Sequence, residues 1–180
     1  MFGGFGGKWP WRADAQGRTL FDVVPRWLRW GLGALLVLIA LGGLMIRAAP
    51  HDPERWHVDP FLAERTGRPN DALVASRGAT AAPPDRVIES ASDDVAEAVA
   101  RLHAMAVVER RVEVVAGDPE VLHVTYVQRS ALFGFPDYIT VKADAEARAI
   151  AIWSRARYGY SDMGVNGARL ARWLDGAGID

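Results

Sequence analysis

VVERRVEVVAGDPEVLHVTYVQRSALFGFPDYITVKADAEARAIAIWSRA, residues 107–156, is the stretch on which the fold turns. Four runs inside it, 107–115, 121–129, 138–143 and 149–156, are rich in β-branched and aromatic residues, and Gly117-Asp118-Pro119 and Asp144-Ala145-Glu146 break them with turn chemistry. Val112 and Val114, Leu122, Val124 and Tyr126, Ile139 and Val141, and Ile150 and Ile152 occupy alternate positions. Between them stand Arg111 and Glu113, His123 and Thr125, Thr140 and Lys142, and Trp153 and Arg155. A period of two predicts strands with one apolar and one polar face, and the short connections predict an antiparallel four-stranded meander.

On either side of this stretch the period lengthens. Val95, Val99, Leu102 and Met105 or Ala106 recur at helical spacing, which predicts a helix over about 93–106 that opens on Ser92, Asp93 and Asp94 as N-cap and first-turn acids. Downstream, Leu170, Trp173, Leu174 and Ala177 form a second stripe, with Asn166 as the expected N-cap and Val165 and Leu170 as a hydrophobic staple. Two amphipathic helices and a sheet with one apolar face solve each other's burial problem. The expected fold class is therefore α+β, a two-layer domain over residues 86–180 with a four-stranded antiparallel sheet and two flanking helices.

Working further outward, residues 48–85 carry Pro50, Pro53, Pro60, Pro69, Pro83 and Pro84 without a sustained apolar period. They read as an extended tether, partly docked on the domain through Trp56, Phe61, Leu62, Leu73 and Val74. Before it, every residue from 30 to 46 is Gly, Ala, Leu, Val, Ile, Met or Trp. With residues 27–29 this gives a span of roughly 30 Å at about 1.5 Å per residue, the thickness of a hydrocarbon core. A transmembrane helix over 27–47 is expected, with Arg29 snorkelling at one end and Trp27 and Trp30 in the interfacial belt.

Lys8, Arg12, Arg18, Arg26 and Arg29 precede the span, whereas Arg47, Arg55 and Arg65 follow it. The excess favours a cytoplasmic tail over residues 1–26, a single pass through the bacterial inner membrane and a periplasmic C-terminal domain. The bilayer is thus the first expected partner, through residues 27–47. Phe2, Phe5, Trp9 and Trp11 give the glycine-rich tail side chains that suit the headgroup region.

Composition narrows the chemistry. Residues 1–50 hold six basic and two acidic side chains and residues 51–180 fifteen basic and twenty acidic, so the larger part is mildly acidic and no nucleic-acid partner is expected. Zero cysteines exclude disulfides, thiolate metal sites and a cysteine nucleophile. His51, His57, His103 and His123 lack metal-ligand spacing, and neither a nucleophile elbow nor a phosphate-binding loop nor a dinucleotide fingerprint is present. No metal and no cofactor is expected.

One segment concentrates special residues. Between the last predicted strand and the last helix lie Arg157, Gly159, Ser161, Asp162, Gly164, Asn166 and Arg169. Gly159 and Gly164 suit a tight turn, Asp162 and Asn166 suit caps, and a cation at the third helical position opposes the macrodipole, so Arg157 and Arg169 are expected to converge on Asp162. A helix start flanked by two arginines suits a phosphate, carboxylate or lipid headgroup. Arg157, Asp162, Asn166 and Arg169 are therefore the candidate ligand-binding residues.

The spaced motif Arg157-x-Gly159-x-Ser161-Asp162-x-Gly164-x-Asn166-x-x-Arg169, preceded by Phe133-Gly134-Phe135-Pro136-Asp137, resembles the domain-of-unknown-function 1499 family of bacterial and plant proteins. The resemblance covers roughly residues 86–175, with a weaker echo at Pro69-Asn70. The sequence departs from the common pattern where no cysteine follows Pro69-Asn70 and where Gly167 replaces a basic residue. The resemblance implies a shared fold and brings no activity with it. Two functions stand side by side. One is a noncatalytic envelope module that binds a protein partner or a small anion. The other is a hydrolase or transferase working at Arg157, Asp162 and Arg169.

Overall fold

A computed structural model describes residues 24–89 and 94–179. The chain divides into two units, Met1–Met45 and Ile46–Asp180. In the first, the apolar run folds as helix α1, Arg26–Ala48, none of whose residues is buried against protein. It is long and apolar enough to cross a membrane. The aromatic residues of the tail, Phe2, Phe5, Trp9 and Trp11, lie outside the described residues.

The second unit is a mixed α+β structure whose sheet has six strands where four were expected. A short helical turn α2, Pro53–Trp56, leads through a 3-10 turn at Pro60–Leu62 into β1, Asp71–Ser76, and β2, Arg86–Ile88. Then follow α3, Val95–Val108; β3, Val112–Asp118; β4, His123–Arg129; β5, Pro136–Asp144; β6, Ala149–Ala156; and α4, Val165–Ala177. The sheet order is β2-β1-β6-β5-β4-β3. The meander β3 to β6 is antiparallel throughout, as its turns predict. The added strand β1 pairs antiparallel with β6 and parallel with β2, placing residues of the expected tether inside the sheet.

Burial explains why the extra strands escaped the period-two pattern. β1 is flanked on both sides, and its Ala72-Leu73-Val74-Ala75 core is buried on both faces, so it reads as a short continuous apolar run rather than an alternation. β2 is three residues long. The first meander strand also starts later than residue 107, because Val107 and Val108 still belong to α3 and the chain reverses through Arg111 at a φ of 62°.

The helical stripes sit where the periodicity puts them. Val95, Val99, Leu102 and Ala106 of α3 and Leu170, Trp173, Leu174 and Ala177 of α4 are buried against Val124, Tyr126, Ile139, Val141, Ile150 and Ile152. Each large side chain so buried contributes about 1.5–3 kcal/mol. Asp94 caps α3 by accepting from the Ala96 and Glu97 amides, while Ser92 and Asp93 fall outside the described residues.

The opposite face departs from the two-layer picture. Thr125, Thr140, Val127, Tyr138 and Trp153 are buried there. The segment over residues 50–63 lies across them as a strap. Trp56 stacks on Tyr138 with ring centroids 4.0 Å apart, and Ala63 and Val58 pack with Leu73 and Trp153. The alternation correctly separates the faces, but a polar residue facing a covering segment finds partners instead of water. Thr140 Oγ1 donates to the Trp56 carbonyl, and His57 Nδ1 and Thr125 Oγ1 are 2.9 Å apart.

Candidate functional site

The junction between β6 and α4 is a tightly bonded lock. Gly164, at a φ of 80°, is the N-cap residue of α4, two residues earlier than the sequence indicates, so Asn166 lies inside the helix and Val165 is exposed instead of forming a staple. Asp162 reaches forward and accepts from the Gly164 and Asn166 amides at 2.9 and 2.8 Å, supplying the cap that Gly164 lacks. Asn166 is free to point inward. Its Oδ1 accepts from Ser154 Oγ, and its Nδ2 donates to the carbonyl of Asn70. Asn70 in turn donates to the Gly159 carbonyl, and the Asp162 amide to the Pro69 carbonyl. Pro69-Asn70 thus belongs to the same lock as the glycine-spaced motif.

Arg169 is 3% exposed and does not meet Asp162. Its Nε donates to Gln128, Nη1 to Ser154 and Asn166, and Nη2 to Asp137 Oδ2 at 2.8 Å. Every guanidinium nitrogen is occupied, and the ion pair with Asp137 is almost wholly buried. Burial pushes the Asp137 carboxyl up, against the pull of Arg169's hydrogen bond and charge.

Arg157 lies on the other face, because positions 155 and 157 share the strand face opposite to Ser154. Its Nη1 donates to the Pro50 carbonyl at 2.9 Å and to the Tyr138 hydroxyl at 3.3 Å. His51 Nδ1 shares a 2.8 Å hydrogen bond with the same hydroxyl, and Arg129 Nη2 lies 2.7 Å from His51 Nε2. The four candidate residues therefore split. Asp162, Asn166 and Arg169 gather at the start of α4, and Arg157 anchors the strap.

A residue that the sequence presents only as one polar position among several is chemically the more unusual. Arg155 lines a cavity of about 260 Å³ together with Arg55, Trp56, Glu64, Thr66, Asn70, Asp71, Trp153 and Ala156. Its Nη2 donates to the Trp56 carbonyl at 2.8 Å and to Thr140 Oγ1 at 3.2 Å. Its Nε is buried without a hydrogen-bond partner. Among the described residues no carboxylate forms an ion pair with it. Asp71, whose negative charge acts on Arg155, receives Arg65 Nε and Nη2 at 3.0 and 2.9 Å and the Trp153 indole N–H at 2.8 Å. Burial pulls the Arg155 pKa down to about 10, so it stays a cation at neutral pH. Trp153 holds it by a cation–π contact at 4.2 Å, with Trp56 at 5.5 Å.

No signal in the sequence separated Arg155 from its neighbours, because its setting is assembled from β1, the strap and β6. Among the described residues there is no cluster of three or more His, Asp or Glu side chains placed to hold a metal ion. The profile of a family described as "Protein of unknown function (DUF1499)" matches residues 62–176, and the chain belongs to that family. The match begins earlier than residue 86 and so takes in β1 as well. No curated protein and no solved structure matches the chain.

Proposed function

From membership of a family that brings no activity with it, we propose that this protein is a membrane-anchored, noncatalytic module that binds a small anion bearing a carboxylate or phosphate in the Arg155 cavity. One observation carries the reading: a half-buried, un-ion-paired guanidinium, whose Nε is buried without a hydrogen-bond partner, lines an open cavity. A buried charge without a counter-ion is costly, and a donor left unpaired adds to the cost, so an anion entering the cavity gains more there than at a satisfied arginine. The catalytic alternative draws no support from the geometry, since Asp162 is occupied by amides and Arg169 by four acceptors.

Thermal melts of the full chain in detergent, with inorganic phosphate, sulfate or acetate against chloride at matched ionic strength, test the site. The wild type and Arg157→Met should gain melting temperature with the oxyanions, and Arg155→Met should not. No gain in the wild type, or an equal gain in Arg155→Met, would overturn the assignment.

The basic excess on the N-terminal side of the apolar run over Arg47, Arg55 and Arg65 on its C-terminal side supports a cytoplasmic N-terminus and an exported domain in the bacterial envelope. Protease added to spheroplasts should then trim the C-terminal domain, and full protection would reverse the orientation.

A further inference from the structure

Two loops leave the same end of the sheet, 130–135 between β4 and β5 and 157–164 after β6, and both carry apolar side chains into solvent. Leu132 is 76% exposed, Tyr160 71% and Met163 92%, with Phe133, Tyr158 and Val165 also exposed. Phe135 joins the loops, its ring 5.7 Å from Phe133 and 6.1 Å from Tyr158. Met163 has a φ of 55°, a conformation that favours glycine or asparagine, yet the position holds a long apolar side chain that contacts little protein. A contiguous exposed patch of this kind marks an interaction surface.

Charge runs the same way. Arg68, Arg110 and Arg111 are exposed on the loops that lead into β1 and β3 at this end, where Arg129 and Arg157 are half-buried. Of the acids here, Asp137 is occupied by Arg169, Asp162 by amides and Glu109 by Arg172, Gln128 and Trp173, which leaves the exposed Glu64 and Glu113 against the five arginines. The turns at the far end expose Asp118, Glu120, Asp144 and Glu146 beside Arg148.

Covalent connectivity adds a third argument. The apolar run ends at Ile46, and the Pro50 carbonyl is bonded to Arg157 at the root of the aromatic loop. Four residues reach no further than about 14 Å even when fully extended, so this end of the sheet is tied close to where the apolar run stops. Aromatic and apolar tips ringed by arginines suit the headgroup level of an anionic bilayer.

We infer that the loops 130–135 and 157–164 form a membrane-contacting surface that seats the domain on an anionic lipid bilayer with the β5–β6 turn pointing away. This rests on α1 spanning the membrane. The native chain has no cysteine, so single-cysteine spin labels can be placed cleanly. The full chain, labelled in turn at Tyr160→Cys, Met163→Cys, Ala145→Cys and Leu36→Cys, is reconstituted in vesicles of phosphatidylcholine with one quarter phosphatidylglycerol. Collision rates are then measured with oxygen and with a water-soluble nickel chelate. The oxygen-to-nickel ratio at positions 160 and 163 should exceed that at 145 several-fold, with 36 deeper still. Ratios at 160 and 163 equal to that at 145, with 36 deep, would overturn the inference and leave the anchor intact. A water-exposed label at 36 would overturn the anchor and this inference with it.

Discussion

Arg169 and Arg155 are two arginines drawn out of water on opposite faces of one sheet. Around Arg169 the helix α4 and the strands β4, β5 and β6 together present four acceptors, one of them a carboxylate. Around Arg155 the strap and β5 present two acceptors, the strap and β6 two indole faces, and the Nε is left over. Burial of a charge therefore does not by itself mark a binding site. A saturated guanidinium locks structure, whereas an unsaturated one beside a cavity has capacity for a ligand.

The comparison breaks most visibly if Arg169 is removed. Arg169→Ala leaves Asp137 buried without its counter-ion and should cost about 3–5 kcal/mol in denaturant unfolding, whereas a loss under about 1 kcal/mol would mean that Asp137 is neutral in the fold. Asp162→Ala frees two helix-start amides and should cost about 1–2 kcal/mol. An unchanged midpoint would show that water serves as well as the carboxylate.

Arg155→Met should change stability by about 1 kcal/mol or less, or raise it, since an apolar side chain removes an uncompensated charge. A loss as large as that of Arg169→Ala would erase the distinction between the two arginines.

The smallest effect is in pH and sharpens the contrast from the strap side. His57 and His123 stack at 3.8 Å, and burial lowers both pKa values below the ordinary 6.5, helped at His57 by Lys142 and at His123 by the charges of His57 and Lys142. His51 is lowered by burial and by Arg129. The unfolded chain therefore takes up protons first as the pH falls, so the stability these imidazoles contribute is complete above about 6.5 and is lost as the pH drops below it. Melting temperatures between pH 7.5 and 5.5, a window chosen to lie above the usual range of carboxylates of about 4, should decline in the wild type and decline less in His57→Gln/His123→Gln. Parallel curves would show that the strap does not loosen through these groups.

The alternating residues of the meander and the apolar stripes of α3 and α4 were legible because each reports one surface that its own element must bury. β1 was not, since a strand covered on both faces has no alternation, and the prolines around it suggested a tether. At the junction, the glycine-spaced motif flagged the right turn but the wrong partners. Asp162 sits two residues before the N-cap rather than facing Arg169, and a helix start two residues earlier than expected turns Asn166 inward and sends Arg169 to Asp137.

By itself the sequence determined the apolar helix, the antiparallel meander, the two helices over its apolar face and the family, because hydrophobic periodicity and turn chemistry are local properties of the chain. Only the tertiary structure decided that a Pro-rich segment supplies strand β1 and a strap, that β2 joins the same sheet, that Arg157 parts from Arg169, and that Arg155 is the arginine left with an unpaired donor. These depend on which acceptors distant segments bring within about 3 Å of a given nitrogen, and that distance is set by the packed fold rather than by any neighbour in the chain.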